Sequence, residues 1–331
     1  MAQYDLKGFD SVFDASLNNE LQDNIVEFFD WALLKKGNFF NVSLGETSSR
    51  GVDYSRLRHS EEKKYKAGQA WKGFRRNWVW QSGLSDCSNG VPSIAFTEPL
   101  VGTDNTYPGI SGVYVDNTFY PRSTTGTYAH HVDYYDGTIV FDDPIPTGSK
   151  VQAEYSYKWI SVAYANELPW IRDIQYRSYN NAGFLDSSRK EFDQPADTQI
   201  QLPTIAVEIV PRRTLRGYQL GGGQFVHTDV LFHCIAEDER TRDKLVDIVS
   251  LQNDKTIFKF NSNEVAKWKE FPLDYRGSPV SGAHTYPDLA NKFYDGKIRF
   301  TNSSVQGMDM INSNLYGGIV KITTEVIDAK I

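Results

Sequence analysis

The chain has 331 residues, 40% hydrophobic and 23% charged. That is enough to bury the cores of roughly two or three ordinary domains, and too apolar for a disordered chain. A formal net charge of -7 argues against a protein that wraps nucleic acid with its whole surface, and two cysteines, Cys87 and Cys234, exclude a disulfide scaffold and cysteine-rich zinc sites.

The first expected element is a helix over 20–36, where Leu21, Ile25, Phe28, Phe29, Trp31 and Leu33 recur at helical spacing before Gly37 stops the pattern. Asn41–Ser60 is polar and rich in Ser and Gly, and reads as a loop. A second helix is expected from Glu61 to Trp80, because Ala67, Trp71, Phe74 and Trp78 fall at three- or four-residue intervals. Residues 81–92 are turn-rich, and the pattern then changes to short strands and tight turns. Val113–Val115 and Thr118–Tyr120 flank Asp116-Asn117, and Val132–Tyr135 and Thr138–Phe141 flank Asp136-Gly137, both residue pairs suited to hairpin turns.

The clearest strand follows. Val151, Ala153, Tyr155, Tyr157 and Trp159 alternate with Lys150, Gln152, Glu154, Ser156 and Lys158 until the phase slips at Ile160. Beyond it, strands are expected over Leu202–Val210 and Phe225–Ala236, separated by a basic, Gly-rich loop over 211–223. Glu237-Asp238-Glu239 opens a helix whose N-terminal dipole favours acids, with Leu245, Ile248 and Val249 on its apolar face. An irregular stretch over 252–293 holds Pro272, Pro279 and Pro287, and two last strands are expected over Lys297–Thr301 and Gly318–Ile327. Tyr294–Phe300 echoes Tyr135–Phe141, which shared turn chemistry explains better than duplication.

These elements predict an α+β fold, a twisted mixed sheet flanked by helices with an inserted small β-sandwich or barrel. Residues 1–90 would be the helical part of the core domain, 91–160 the inserted β domain and 161–331 the α/β core. The segment 91–160 carries three basic and eight acidic residues, so most of the acidity resides there. No apolar run approaches the roughly 20 residues of a membrane helix. Met1–Asp10 lacks the basic-then-apolar pattern of a secretory leader, so neither export nor a membrane partner is expected.

Chemistry-bearing patterns are sparse. Gly221-Gly222-Gly223 lacks the following helix and the lysine–hydroxyl pair of a phosphate loop. His130 and His131 face opposite sides of a strand, which suits a surface role better than shared metal binding. His227 and His233 share a face, but about 20 Å apart at strand rise. Carboxylates at Asp142, Asp143 and 237–239 could in principle form a glycosidase pair, although compensation of the helix dipole explains the last group better. No catalytic, cofactor or metal residue is therefore assigned. Two basic clusters remain. Trp71–Trp78 interleaves basic and aromatic residues as single-strand binders do, but helical spacing separates the two sets onto different faces, so an amphipathic packing helix is the expectation. Arg212, Arg213 and Arg216 follow a strand and could meet phosphate or acids of a neighbouring subunit; the second is the expectation. Tyr157 and Trp159 join these arginines as subunit-interface candidates, since Tyr and Trp suit half-wet contacts.

Three stretches, Gly112–Asp116, Thr127–Pro146 and Ala153–Trp159, resemble a β module of tailed-phage virion proteins. Leu202–Glu208, Gly217–Gly222, the strand ending at Glu237 and its following helix are similar to neck and tail-completion proteins, tail terminators among them. The resemblance spans about 200 residues in two blocks. It implies a structural ring subunit, commonly a hexamer, at the junction of head and tail in the virion. The implied partners are further copies, other neck, tail-tube or sheath proteins, and DNA passing through the lumen without sequence-specific binding. The resemblance implies no enzyme. The extra β module departs from a minimal terminator, and a glycan-binding or adhesin-type module is the alternative its Tyr- and Trp-rich strands suggest.

Overall fold

The computed structural model describes residues 16–45, 47, 51, 53–81, 110–165, 201–219, 222–280, 285–312 and 315–328. The expected break at 82–92 and Cys87 lie outside them. The fold is α+β, with four helices and several sheets among the described residues.

Helix α1 (Leu17–Leu34) forms where the apolar spacing predicts it. It ends at a turn in which Gly37, at φ +84°, donates its N–H to the Leu34 carbonyl, a conformation that disfavours other residues. Its buried face, Leu21, Ile25, Val26, Phe29 and Leu33, packs on one side of a curled six-stranded sheet.

The sheet has the order β10-β11-β12-β15-β14-β13. Its strands are β10 (Ser161–Tyr164), β11 (Thr204–Gln219), β12 (Gly222–Ala236), β13 (Thr256–Phe260), β14 (Tyr294–Asn312) and β15 (Leu315–Asp328). Only β10 and β11 run parallel. Alternation along β12 and β15 puts Val226, Val230 and Phe232 beside Val326, Ile322 and Val320 on the core side. Helix α2 (Glu239–Ser250) covers the same side with Leu245, Val246 and Val249. Its expected acidic start is realised as a cap. Asp238 accepts from the Thr241 N–H at 2.8 Å, and the Thr241 side chain together with that N–H holds its carboxyl below the ordinary carboxylate range.

A second core lies between α1 and β10 in the chain. Strands β1 (Phe39–Val42), β2 (Arg58–His59), β3 (Ala70–Lys72), β4 (Gly112–Val115), β5 (Thr118–Pro121), β6 (His130–Asp133), β7 (Thr138–Phe141), β8 (Val151–Gln152) and β9 (Tyr155–Lys158) form three small open sheets among the described residues, β1-β9, β2-β3-β7-β6 and β5-β4-β8. They share one apolar cluster in which Val42, Leu57, Trp71 and Trp78 pack with Val113, Ile139, Phe141 and Tyr155. The strands that share this cluster begin at Phe39, upstream of residue 91.

That arrangement replaces the helix expected over 61–80. Trp71 sits in β3 opposite Ile139, and Trp78 stacks on Tyr155 at 4.3 Å. Ala67 and Phe74, which should complete the helical stripe, are exposed. Gly68 sits at φ +82° with the place of a Cβ only 1.8 Å from the Ile145 carbonyl oxygen, a path that a helix cannot follow.

Further differences concern strand length. The stretch 211–219, expected as loop, continues β11 into a long hairpin with β12, and β14 and β15 extend far beyond their expected cores. The stretch 252–293 contains β13, helix α3 (Ser262–Trp268) and helix α4 (Tyr286–Lys292). The strand expected over 151–159 breaks at Ala153-Glu154 into β8 and β9, and the slip at Ile160 is the bend between β9 and β10. Asp116 and Asn117 both take positive φ in a two-residue turn, whereas 134–137 is a four-residue turn in which only Gly137 does.

Candidate assembly surface

Most of the perimeter of the large sheet is closed by its own chain. At one end β10 covers the start of β11, from Thr204 to Val207. Where β10 stops, the Gln22 amide of α1 donates to the Val207 carbonyl at 2.7 Å. On the other side, β13 is sealed by side chains. Asn24, fully buried, donates to the Phe260 carbonyl at 2.9 Å and accepts from its N–H at 2.8 Å. The Tyr286 hydroxyl of α4 donates to the Phe258 carbonyl. The loop before β13 extends this cover along β14, since Phe300 N–H donates to the Lys255 carbonyl at 2.8 Å and Ser303 N–H to the Asn253 side chain at 3.1 Å.

Besides the outer edge of the terminal strand β10, two stretches remain open among the described residues. One is the far half of β11, beyond a register shift between Ile209 and Arg213, where 211–217 is exposed throughout. The other is the far end of β14, from Val305 to Met310, which carries two further register shifts. An unpaired strand edge is a template for another chain, and bulges twist it so that a flat strand does not fit.

The open part of β11 carries the arginines singled out in the sequence. Arg212, Arg213 and Arg216 are exposed and make no hydrogen bond or ion pair among the described residues. Leu215 beside them is 52% exposed. The open part of β14 carries Val305, Met308 and Met310, all exposed, and one carboxylate, Asp309, likewise without a partner among the described residues. Sequence reasoning missed this second edge. Its signal was the spacing of Met308 and Met310, two apolar side chains on one face of a stretch, 303–310, that is otherwise Ser, Gln, Gly and Asp apart from Val305.

Tyr157 and Trp159 lie elsewhere, at the joint between the module and the core. They gather around Phe40, 5.8 Å and 6.3 Å away by ring centroids, and Lys244 of α2 sits 5.8 Å above Trp159. Phe40 is half exposed, whereas Tyr157 and Trp159 are partly packed against the two cores. The structure thus brings the two aromatic candidates together and keeps them apart from the arginines. The same joint holds a charged knot. Asp30 of α1 accepts from Lys158 at 2.7 Å and from Gln81 at 3.1 Å, and burial pushes the neighbouring Glu27 carboxyl up to about 7, with Asp30 adding to the shift and Lys158 opposing it.

The histidines take structural positions. His130 is buried, with Nδ1 2.9 Å from the Tyr128 carbonyl, and burial lowers its pKa. Burial lowers that of His131 too, and its Nδ1 is 3.9 Å from Asp142. On the side of the large sheet facing away from α1 and α2, His233 pairs with Glu208 at 2.7 Å and His227 approaches Glu325 at 3.8 Å, so each has its own carboxylate. Among the described residues no group of three or more His, Cys, Asp or Glu side chains is arranged to hold a metal ion. Cys234 is buried in the core, and burial pushes its thiol up to about 12. No helix among the described residues is long and apolar enough to cross a membrane. No protein-family model matches the sequence, and no curated protein matches it either.

Proposed function

We propose that this chain is a structural subunit that assembles with copies of itself into a ring in a tailed-phage particle, at the neck or the tail end. The observation that carries the proposal is the selective closure of the large sheet. Side chains and loops seal β13 and the start of β11, while among the described residues two strand edges on opposite sides stay open and carry exposed apolar residues and unpartnered charges. An unpaired edge is a template for another chain, and a partner that follows the local twist can pair with it. The likeness of 112–159 and 202–237 to virion β modules and tail-completion proteins suggests the setting: a ring, commonly hexameric in such proteins, through which DNA passes. Neck, tail-tube or sheath proteins are the partners this setting implies, and none of it requires a catalytic residue.

Replacing Arg212, Arg213 and Arg216 together by Glu tests the role of the open β11 edge. The wild-type chain is expected to run as an oligomer on size exclusion with light scattering. The triple variant should run as a smaller species with an unchanged circular dichroism spectrum and melting temperature. Unchanged assembly in the variant would remove these arginines from the contact.

The aromatic group of Phe40, Tyr157 and Trp159 favours a second reading, a sugar-binding face on the virion, because half-exposed rings stack on sugar rings. Glycan-array binding that disappears with Trp159→Ala or Tyr157→Ala supports it, and an array without signal removes it.

A further inference from the structure

We infer that the open edge of β11 pairs with the open edge of β14 on a second copy of the chain, so that the contact runs head to tail. The inference rests on the assembly reading above and names the surfaces that assembly uses.

The two edges cannot meet within one copy, because β12 and β15 lie between β11 and β14. They also lie at opposite ends of the strands. The open part of β11 is level with the start of β12, through Arg213↔Thr228 and Arg216↔Phe225, whereas the open part of β14 is level with its end, through Met308↔Gly318 and Gly318↔Cys234. Neither edge therefore finds a partner strand among the described residues.

Chemistry selects the partner. Two β11 edges brought together would oppose Arg212, Arg213 and Arg216 with the same arginines, and like charges directly opposite are destabilising. The β14 edge carries no basic residue between Val305 and Met310 and supplies one carboxylate, Asp309, without a partner among the described residues. Its exposed Val305, Met308 and Met310 give Leu215 an apolar neighbour, so pairing removes apolar surface from water on both sides. The open stretches are of similar length, 211–217 and 305–310, and the register shifts in both exclude a flat partner strand. A contact between two different surfaces of the same chain is heterologous. It closes into a ring when the rotation between copies permits and otherwise continues as a filament.

Cysteine pairs test this in the full chain carrying Cys87→Ser, with the buried Cys234 left in place. Leu215→Cys is combined in turn with Val305→Cys, Met308→Cys or Met310→Cys, and each double variant is oxidised mildly. At least one pair is expected to give a ladder of disulfide-linked copies on a non-reducing gel. Leu215→Cys with Leu251→Cys, which is exposed on the C-terminal side of α2, should give none. A chain that assembles while no β14 position links to Leu215→Cys overturns the edge pairing and leaves the assembly reading intact. Efficient linking of the single Leu215→Cys variant to itself also overturns it, in favour of a symmetric β11 contact. A chain that stays monomeric at every concentration overturns both. As an independent check, Val305→Lys with Met308→Lys alters only exposed side chains and is expected to abolish the oligomer without changing the melt. Full assembly in that variant counts against the β14 edge.

Discussion

Replacing Glu27 by Gln is expected to stabilise the protein at alkaline pH and much less at acidic pH. Glu27 lies on α1 beside Asp30, whose carboxylate receives Lys158 of β9 and Gln81. Burial is the main cause that lifts its carboxyl from 4.5 to about 7, and the nearby Asp30 and Asp23 add to it. A carboxyl whose pKa is higher in the folded than in the unfolded chain binds its proton more tightly when folded. The fold therefore loses stability as pH rises through the window from 4.5 to about 7, and below that window the loss is absent. The neutral Gln removes this loss. The shift corresponds to about 3 kcal/mol at pH 8 as an upper figure, because the side chain keeps some contact with solvent, and to about 1 kcal/mol at pH 5. Urea melts of both proteins at pH 5 and pH 8 measure the difference, and comparing the two pH values cancels any pH-independent effect of Gln. A gain that is equal at the two pH values, or larger at pH 5, would refute the reasoning and place Glu27 in an ordinary solvated setting.

Three further substitutions test the packing. Phe232→Ala empties a fully buried site where Phe29 lies 5.1 Å away across the helix–sheet contact, and a loss of about 3–5 kcal/mol in denaturant melts is expected. Asn24→Leu keeps the volume but leaves the Phe260 N–H and C=O without their partners. A loss of about 2–4 kcal/mol is expected, with faster amide exchange at Phe260. Gly68→Ala forces a Cβ onto the Ile145 carbonyl at a positive φ. It should cost about 2 kcal/mol or more and expose Trp71, whose indole N–H donates to the Gly68 carbonyl, as a change in tryptophan fluorescence.

The parts of the fold that could be read from the sequence are those where local pattern and final environment agree. Helix α1 combines a wide apolar face with a glycine stop, and its core face is the one the spacing marks. The Asp116-Asn117 turn was legible because those residue types tolerate the left-handed conformation that both adopt. The helix over 61–80 failed because four large or apolar residues at helical intervals are also what a strand, two turns and a bridge can supply. The aromatic residues there answer to Ile139 and Tyr155, far along the chain. The outer halves of β11 and β14 were illegible for the opposite reason. Neither face of an open strand end is buried in the single chain, so no alternation is imposed, and Arg, Ser, Gly and Gln read as loop. Helices α3 and α4 have seven residues each and are too short for a periodic signal, yet their ends are marked. Asn261 accepts from Asn263 N–H and Glu264 N–H, and Asp288 accepts from the Thr285 N–H ahead of Pro287. The candidate surface divides along the same line. The arginines stood out by charge. The β14 edge and Phe40 became visible only once the sheet order showed which edges its own chain leaves open.

The central claim is that the chain builds a closed assembly of identical copies. The measurement that tests it most directly is the mass of the purified full-length protein in solution across a hundredfold range of concentration, with negative-stain images of the same samples. The account predicts a single discrete oligomer of several copies that appears as closed rings. A monomer at every concentration, with no rings in the images, would contradict it.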